Sequence, residues 1–470
     1  MSEDFSISRR NFLSAAGAFS VWPGVSFAAP QTQELGASAP FWPWEDRQGN
    51  ATQTVFVRRV YLDLAGRIPT KDEVKSFLAS QEPCRRELLV DKLLASSEFA
   101  DYWSLRLCDI LRVKSEFPIN LWPNAVYVYH RRIRQFVEAN EAWDHFGRAL
   151  LTSQGSNFRD GEVNFFRATD MRTPEGWSAA VAETFLGLSP EALSPKLRAS
   201  FLAAFANVKI KDTREWKEEI VFVEGSDRRG ELCEHLFGVL GDEVARAFGL
   251  RVREWIFGPV EASKVAMQGL HLKDLLRRIC LSEEYARGSV TGGFPIRRLD
   301  AEVLDDALCS LSGMTRDLQS PAPEPYTFLP PARRTVCVED GSISTAFLSL
   351  FGRPARDTGL MSERNLDVTA KQRLYLFNSA RLNQQLGRLV APWKNGKPDP
   401  KSSVYKMPFP ARVDDLYWKI LSRGMTARER GIIVEPFEQQ QRKGRKMRPY
   451  DLLRDVAWCL VNSKEFLFRV

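Results

Sequence analysis

From Thr54 onward, apolar residues recur three and four positions apart rather than at every second position. Phe56, Val57, Val60, Tyr61 and Leu64 make one such stripe, the pattern of a helix that buries one face. Gly66 and Pro69 stop it, and Thr70-Lys71-Asp72-Glu73 then reads as a capping box, a hydroxyl and a carboxylate satisfying free amides at a new helix start. Leu88, Leu89, Leu93 and Leu94 mark the next helix, and Phe99, Trp103, Leu107 and Leu111 another. The same spacing predicts helices over 126–138, 143–151, 177–186 and most of 231–285. It returns in the last third with a second capping box, Thr426-Ala427-Arg428-Glu429, and a final amphipathic helix over 450–468. Ile220-Val221-Phe222-Val223, within 208–223, is the best strand candidate. Residues 316–345 hold many prolines and few helix signals, so a long irregular excursion is expected there, with a short hairpin near 334–338. The fold expected is mainly α: a multi-helix body of two closely packed helical domains, with a few short strands or hairpins in the connections.

The first residues follow another logic. Ser8-Arg9-Arg10-Asn11-Phe12-Leu13 precede an apolar run over 15–21 that is too short for a permanent membrane helix, and Ser26-Phe27-Ala28 offers a small-x-small cleavage site. Arg9 and Arg10 thus read as a twin-arginine signal over 1–28, which implies export of an already folded chain to the periplasm or cell envelope. Residues 29–53 read as a linker docking through Phe41-Trp42-Pro43-Trp44, followed by helical domains over 54–225 and 226–470. No later run reaches 18 apolar residues, so no stable transmembrane anchor is expected.

Composition narrows the partners. Lys and Arg total 66 against 59 Asp and Glu, a formal charge of +7 over 470 residues. That balance fits a solvated mixed-charge surface better than a polyanion binder, while leaving an anionic glycan open. The basic aromatic stretch from Tyr127 to Phe136 reads as an amphipathic core helix, and no nucleic-acid partner is expected. The 7 cysteines lie far apart. Neither they nor His130, His145, His235 and His271 fall at metal-ligand, redox-pair or haem-attachment spacing. No metal site and no cofactor is expected.

Several segments together resemble a known pair of domains. Val57-Arg58-Arg59-Val60-Tyr61-Leu62-Asp63-Leu64-Ala65-Gly66-Arg67-Ile68-Pro69-Thr70, Leu89-Val90-Asp91-Lys92-Leu93-Leu94-Ala95-Ser96 and Asn164-Phe165-Phe166-Arg167-Ala168 resemble the planctomycete-type cytochrome-associated domain of unknown function 1549. Arg297-Arg298-Leu299-Asp300-Ala301-Glu302, Phe351-Gly352-Arg353-Pro354-Ala355-Arg356 and Leu460-Val461-Asn462-Ser463-Lys464-Glu465-Phe466 resemble its companion, domain of unknown function 1553. The resemblance implies an exported protein, found beside sulfatase-like proteins and lacking an established reaction. Many relatives carry CxxCH after the segment matching Phe185-Leu186-Gly187, for covalent haem. Here Leu188-Ser189-Pro190-Glu191-Ala192-Leu193-Ser194-Pro195 occupies that place. With no cysteine and no histidine, a covalent c-type haem at this position is excluded.

Two polar groupings stand out as candidate sites. Arg353, Arg356, Glu363 and Arg364 flank a turn at Gly352-Pro354; planar guanidinium forks suit carboxylate, sulfate or phosphate. The alternative is a buried structural network neutralised by Glu363. Ser156, Asn157, Arg159, Asn164 and Arg167 form a loop able to present amides and side chains to a ligand, or simply to pin itself to its neighbours. Asp63 and Glu183, acidic residues in apolar helical stretches, are read as partners of an arginine such as Arg58, Arg59 or Arg67. No catalytic motif is present. The function expected is an exported, non-catalytic partner or scaffold for a co-exported sulfatase-like or glycan-processing protein. The alternatives are an enzyme with a non-covalently bound cofactor and an acidic-glycan-binding module.

Overall fold

The computed structural model describes residues 48, 50–259, 269–289, 293–316, 318–391, 393–394, 397–399, 401–402, 406–444 and 448–470. The export signal expected at Arg9 and Arg10 and the aromatic tether expected at 41–44 lie outside the described residues. The helical stripes fall where the spacing puts them. Gln53–Ala65 ends at Gly66, whose left-handed backbone (φ 59°) returns an amide to the Tyr61 carbonyl and closes the last turn. Both capping boxes form: Thr70 with Glu73 at Lys71–Ala79, and Thr426 with Glu429 at Ala427–Arg442. The helix Pro123–Ala139 buries Val126, Tyr129, Ile133, Phe136 and Val137 on one side, the three-and-four repeat of a core-facing stripe.

Strands are few and short. Val208–Asp212 pairs antiparallel with Glu219–Val223 in the register Ile210↔Val221, and Gly155–Ser156 adds to the far side of Glu219–Val223. The strand candidate over 208–223 is therefore a hairpin, with Lys217 in a left-handed backbone (φ 64°) in its connecting loop. The hairpin expected near 334–338 is instead a single 3-10 turn, Thr335–Cys337. The Asp306 carboxylate accepts from the amides of Thr335 and Val336 at 2.7 and 3.2 Å, taking donors that a strand ladder would have needed. The terminal helix also breaks. Pro449–Val461 stops, Ser463 caps the short Lys464–Leu467, and Phe468–Arg469 pairs with Arg297–Arg298.

One hydrophobic core runs from Phe56 to Leu467, so the two halves of the chain pack as a single body. The helix Gly241–Phe257 belongs by packing to both. Its Phe248 ring stacks on Trp143 at 4.7 Å and its Trp255 meets Trp103 edge-on at 5.5 Å. Trp143 is fully buried, and truncating a ring so placed costs about 3–5 kcal/mol. No described helix is long and apolar enough to cross a membrane.

Candidate functional site

The turn at Gly352 is built for close approach. A Cβ there would sit 1.8 Å from the Asn365 carbonyl oxygen, and the backbone is left-handed (φ 78°), so only glycine fits. The turn carries Arg353 and Arg356 inward rather than toward solvent. Arg356, fully buried, donates to Asp109 at 2.9 Å and to the carbonyls of Val113 and Glu339. Arg364 grips two carboxylates in fork geometry, Asp109 at 2.7 Å and Glu302 at 2.7 Å. Arg353 lies 3.6 Å from Glu302 and donates to the Asp340 carbonyl at 3.2 Å. Burial pushes the Glu302 carboxyl up, but Arg364 and then Arg353 outweigh it and hold it at about 2. Burial, helped by the neighbouring Arg356 and Arg364 and opposed by Glu302 and Asp109, lowers Arg353 to about 10. These arginines form a structural network, and no open anion clamp results. Glu363 is not the neutralising acid expected. Its carboxylate accepts from the Asp357 amide at 3.2 Å and from the Thr358 amide and hydroxyl, closing the loop beside the cluster.

The other acidic residues likewise find distant partners instead of neighbours. Asp63 pairs with Arg469 and accepts from the Tyr285 hydroxyl at 2.7 Å. Arg58 and Arg59 donate to backbone carbonyls, among them Ile420 and Val470, and Arg67 holds Glu73 and Glu98. Glu183 accepts from Arg112 at 2.7 Å, with burial raising its carboxyl above the usual range. The four histidines are scattered. His130 lies beside Ser104, held neutral with its pKa at about 3 by burial and then by Arg356 and Arg333. His145 pairs with Glu141, and His271 meets the Asn140 carbonyl. No group of three or more metal-ligating side chains converges among the described residues. The seven cysteines form no disulfide with one another. Residues 188–195 form a surface turn with Leu188 exposed and a 3-10 turn at Pro190–Ala192.

The 155–167 loop does two things. It pins itself down: Asn157 donates to the Lys217 carbonyl at 3.1 Å and accepts from the Glu219 amide at 2.9 Å, Asn164 donates to the Asn157 carbonyl at 2.9 Å, and Arg167 pairs with Glu219. Ser156 and Thr213 hydroxyls both donate to Glu218, which holds that carboxyl below its ordinary range. Arg159, however, stays 77% exposed, 3.8 Å from Glu218.

Arg159 and Phe158 face a groove of about 530 Å³. One wall is the start of the helix Pro123–Ala139, with Tyr127 and Asn124. The opposite wall is the proline-rich excursion, with Tyr326, Phe328, Arg333 and Glu339. Glu215 and Glu218 of the hairpin close one end. Tyr127, Tyr326 and Phe328 are exposed to 57%, 47% and 70%, so the groove is lined by open ring faces. Trp122 meets Tyr326 at 5.3 Å between centroids, and Lys217 spans Trp122 and the exposed Trp216. The Asp340 carboxylate accepts from the Ser115 and Ser342 amides at 3.0 and 2.8 Å, tying the excursion to the first half of the chain. The buried arginines lie directly behind this wall, since Arg353 and Arg356 hold the Asp340 and Glu339 carbonyls. Sequence reasoning missed the groove. Its residues come from segments some 200 positions apart.

The protein is thus a single helical body with an open aromatic groove at the seam of its two halves. Residues 46–194 match the family described as a protein of unknown function, DUF1549 (PSCyt2), and residues 262–436 match the protein of unknown function DUF1553 (PSD1). The chain belongs to the family that pairs these two domains in this order. No curated protein and no solved structure matches it.

Proposed function

We propose that this is an exported envelope protein that binds a neutral glycan chain in the 530 Å³ groove and assembles with a co-exported glycan-processing partner. The groove carries this reading. Ring faces at Tyr127, Tyr326 and Phe328 suit the apolar faces of sugar rings, while Glu215, Glu218 and Arg159 offer acceptors and donors for hydroxyls. Clefts of this kind favour domain seams. The charge balance argues against the sulfated or uronic glycans that the sequence left open. The lining holds Glu215, Glu218, Glu339 and Asp340 against Arg159 and Arg333, so an acidic chain would meet net repulsion. Arg353 and Arg356 are buried and engaged, and cannot serve as an anion clamp. The Ser8–Leu13 motif supports the export half of the reading. The lack of cysteine and histidine over 188–195 supports a protein that carries no covalent haem there.

The test is a titration of the purified protein with neutral oligosaccharides, following tryptophan fluorescence. Saturable quenching that disappears in Tyr326→Ala with Phe328→Ala supports the proposal. Binding of acidic oligosaccharides only, or quenching that survives the double substitution, refutes it.

A further inference from the structure

A second, much smaller cavity of about 30 Å³, the size of a single small ion, lies away from the groove, where the helices Gln53–Ala65 and Ser97–Ile110 meet the pairing of Arg297–Arg298 with Phe468–Arg469. Its polar lining is Asp63, Arg106, Arg297, Arg298, Asp300 and Arg469. Four guanidiniums thus face two carboxylates, and both carboxylates are already engaged. Asp63 pairs with Arg469, and Asp300 pairs with Arg106 and accepts from the Tyr102 hydroxyl at 3.0 Å. Arg297 and Arg298 donate only to backbone carbonyls, those of Glu254, Trp255, Leu299, Phe351 and Asn365.

The neighbouring network does not absorb the excess. Arg364, 3.7 Å from Asp300, brings in Asp109 and Glu302, but these also serve Arg353 and Arg356. Burying charge without a counter-charge costs several kcal/mol per ion, and water in the cavity cannot neutralise it. Three guanidinium N–H groups at the wall also lack a hydrogen-bond partner: Arg298 Nε, Arg469 Nε and Arg469 Nη2. Arg298 and Arg469 are only 4% and 7% exposed, so these donors have no ready access to bulk solvent. Trp255 and Val303 give the cavity an apolar side.

We propose that this cavity binds a small monovalent inorganic anion, chloride being the ordinary occupant. A spherical ion accepts from N–H groups at any angle, which suits donors carried by two different side chains. It also supplies the missing negative charge at a point where both halves of the chain and the last strand meet. The anion would act as a clamp across that seam, independent of the glycan groove.

Bromide diffraction tests this without any substitution. Crystals grown in bromide should show an anomalous peak within hydrogen-bonding distance of Arg298 Nε and Arg469 Nη2; a cavity holding only water in saturating bromide overturns the proposal. In solution, replacing gluconate by chloride at constant ionic strength should raise Tm along a saturating curve by ~3–5 °C. A Tm that follows ionic strength alone, the same in both salts, overturns it as well. Arg297→Met removes a charge at the cavity edge that is bound only by carbonyls, and should weaken the chloride midpoint at least ~10-fold by loss of one cationic neighbour. An unchanged midpoint counts against the site. Should that variant not fold, the bromide result decides.

Discussion

The groove and the arginine network behind its wall use the same kinds of residue to opposite ends. In the network, Arg356 and Arg364 are sealed from water and each holds a carboxylate in hydrogen-bonding geometry. In the groove, Arg159 stays exposed and the Tyr127, Tyr326 and Phe328 rings have open faces. The difference teaches that a charged motif in this chain marks where the wall is anchored, and that the surface proposed for the ligand lies one layer out. Charges buried together must satisfy one another; rings left in water at the rim of a cleft carry a cost that only a partner repays.

The comparison can be broken most severely at Arg364. Arg364→Met leaves Asp109 to Arg356 alone and Glu302 with only the 3.6 Å approach of Arg353, and chemical denaturation should show a loss of ~3–5 kcal/mol, the usual effect of removing one partner from a buried pair. A loss under ~1 kcal/mol, the range of a surface pair, would place the network outside the core energetics.

Acid should act next. Glu302 has a folded-state pKa of about 2 against an ordinary 4.5. Its contribution is therefore fully present above pH 4.5 and is lost as pH falls toward 2. His130, held at about 3 against 6.5, adds to the same trend. The unfolded chain takes up that proton below pH 6.5 while the folded protein does not. Stability should fall with pH by ~1.4 kcal/mol per unit through this window from His130 alone. His130→Gln should flatten the slope between pH 6.5 and 4.5 in urea-melt series, and an unaltered slope would assign it elsewhere.

Substitutions in the groove should do the reverse of those in the network. Tyr326→Ala and Phe328→Ala remove exposed rings, so unfolding free energies should move by no more than ~0.5 kcal/mol. Glycan affinity should drop at least ~10-fold, since stacked rings carry much of such binding. Large destabilisation without lost affinity would turn the groove into packing. Smallest of all, Arg159→Ala should leave Tm unchanged and weaken binding only a few-fold, because its pairing with Glu218 is loose and solvent-exposed.

Much of the fold was legible in the sequence because helix signals are local. Gly66, the two capping boxes and the stripes from Phe56 to Leu64 each act within one or two turns. The missed elements turn on long-range competition. Thr335–Cys337 became a 3-10 turn because Asp306 captured its amides from a helix 30 positions earlier. Ion pairing was illegible for the same reason. Asp63 has Arg58, Arg59 and Arg67 nearby in sequence, yet its partner is Arg469. Arg353, Arg356 and Arg364 do cluster as the turn suggested, but their acids come from Asp109 and Glu302, with Glu363 turned to loop amides. The groove required Tyr127 and Tyr326 to be brought to facing walls, which no local pattern encodes.

The most direct test of the central claim is calorimetric titration of the mature protein with neutral oligosaccharides of increasing length. The account predicts saturable binding that strengthens with length until the groove is filled, and that is abolished by Tyr326→Ala with Phe328→Ala in a protein of unaltered Tm. Heats that stay at dilution level for every neutral chain, with binding only to sulfated or uronic ones, would contradict it.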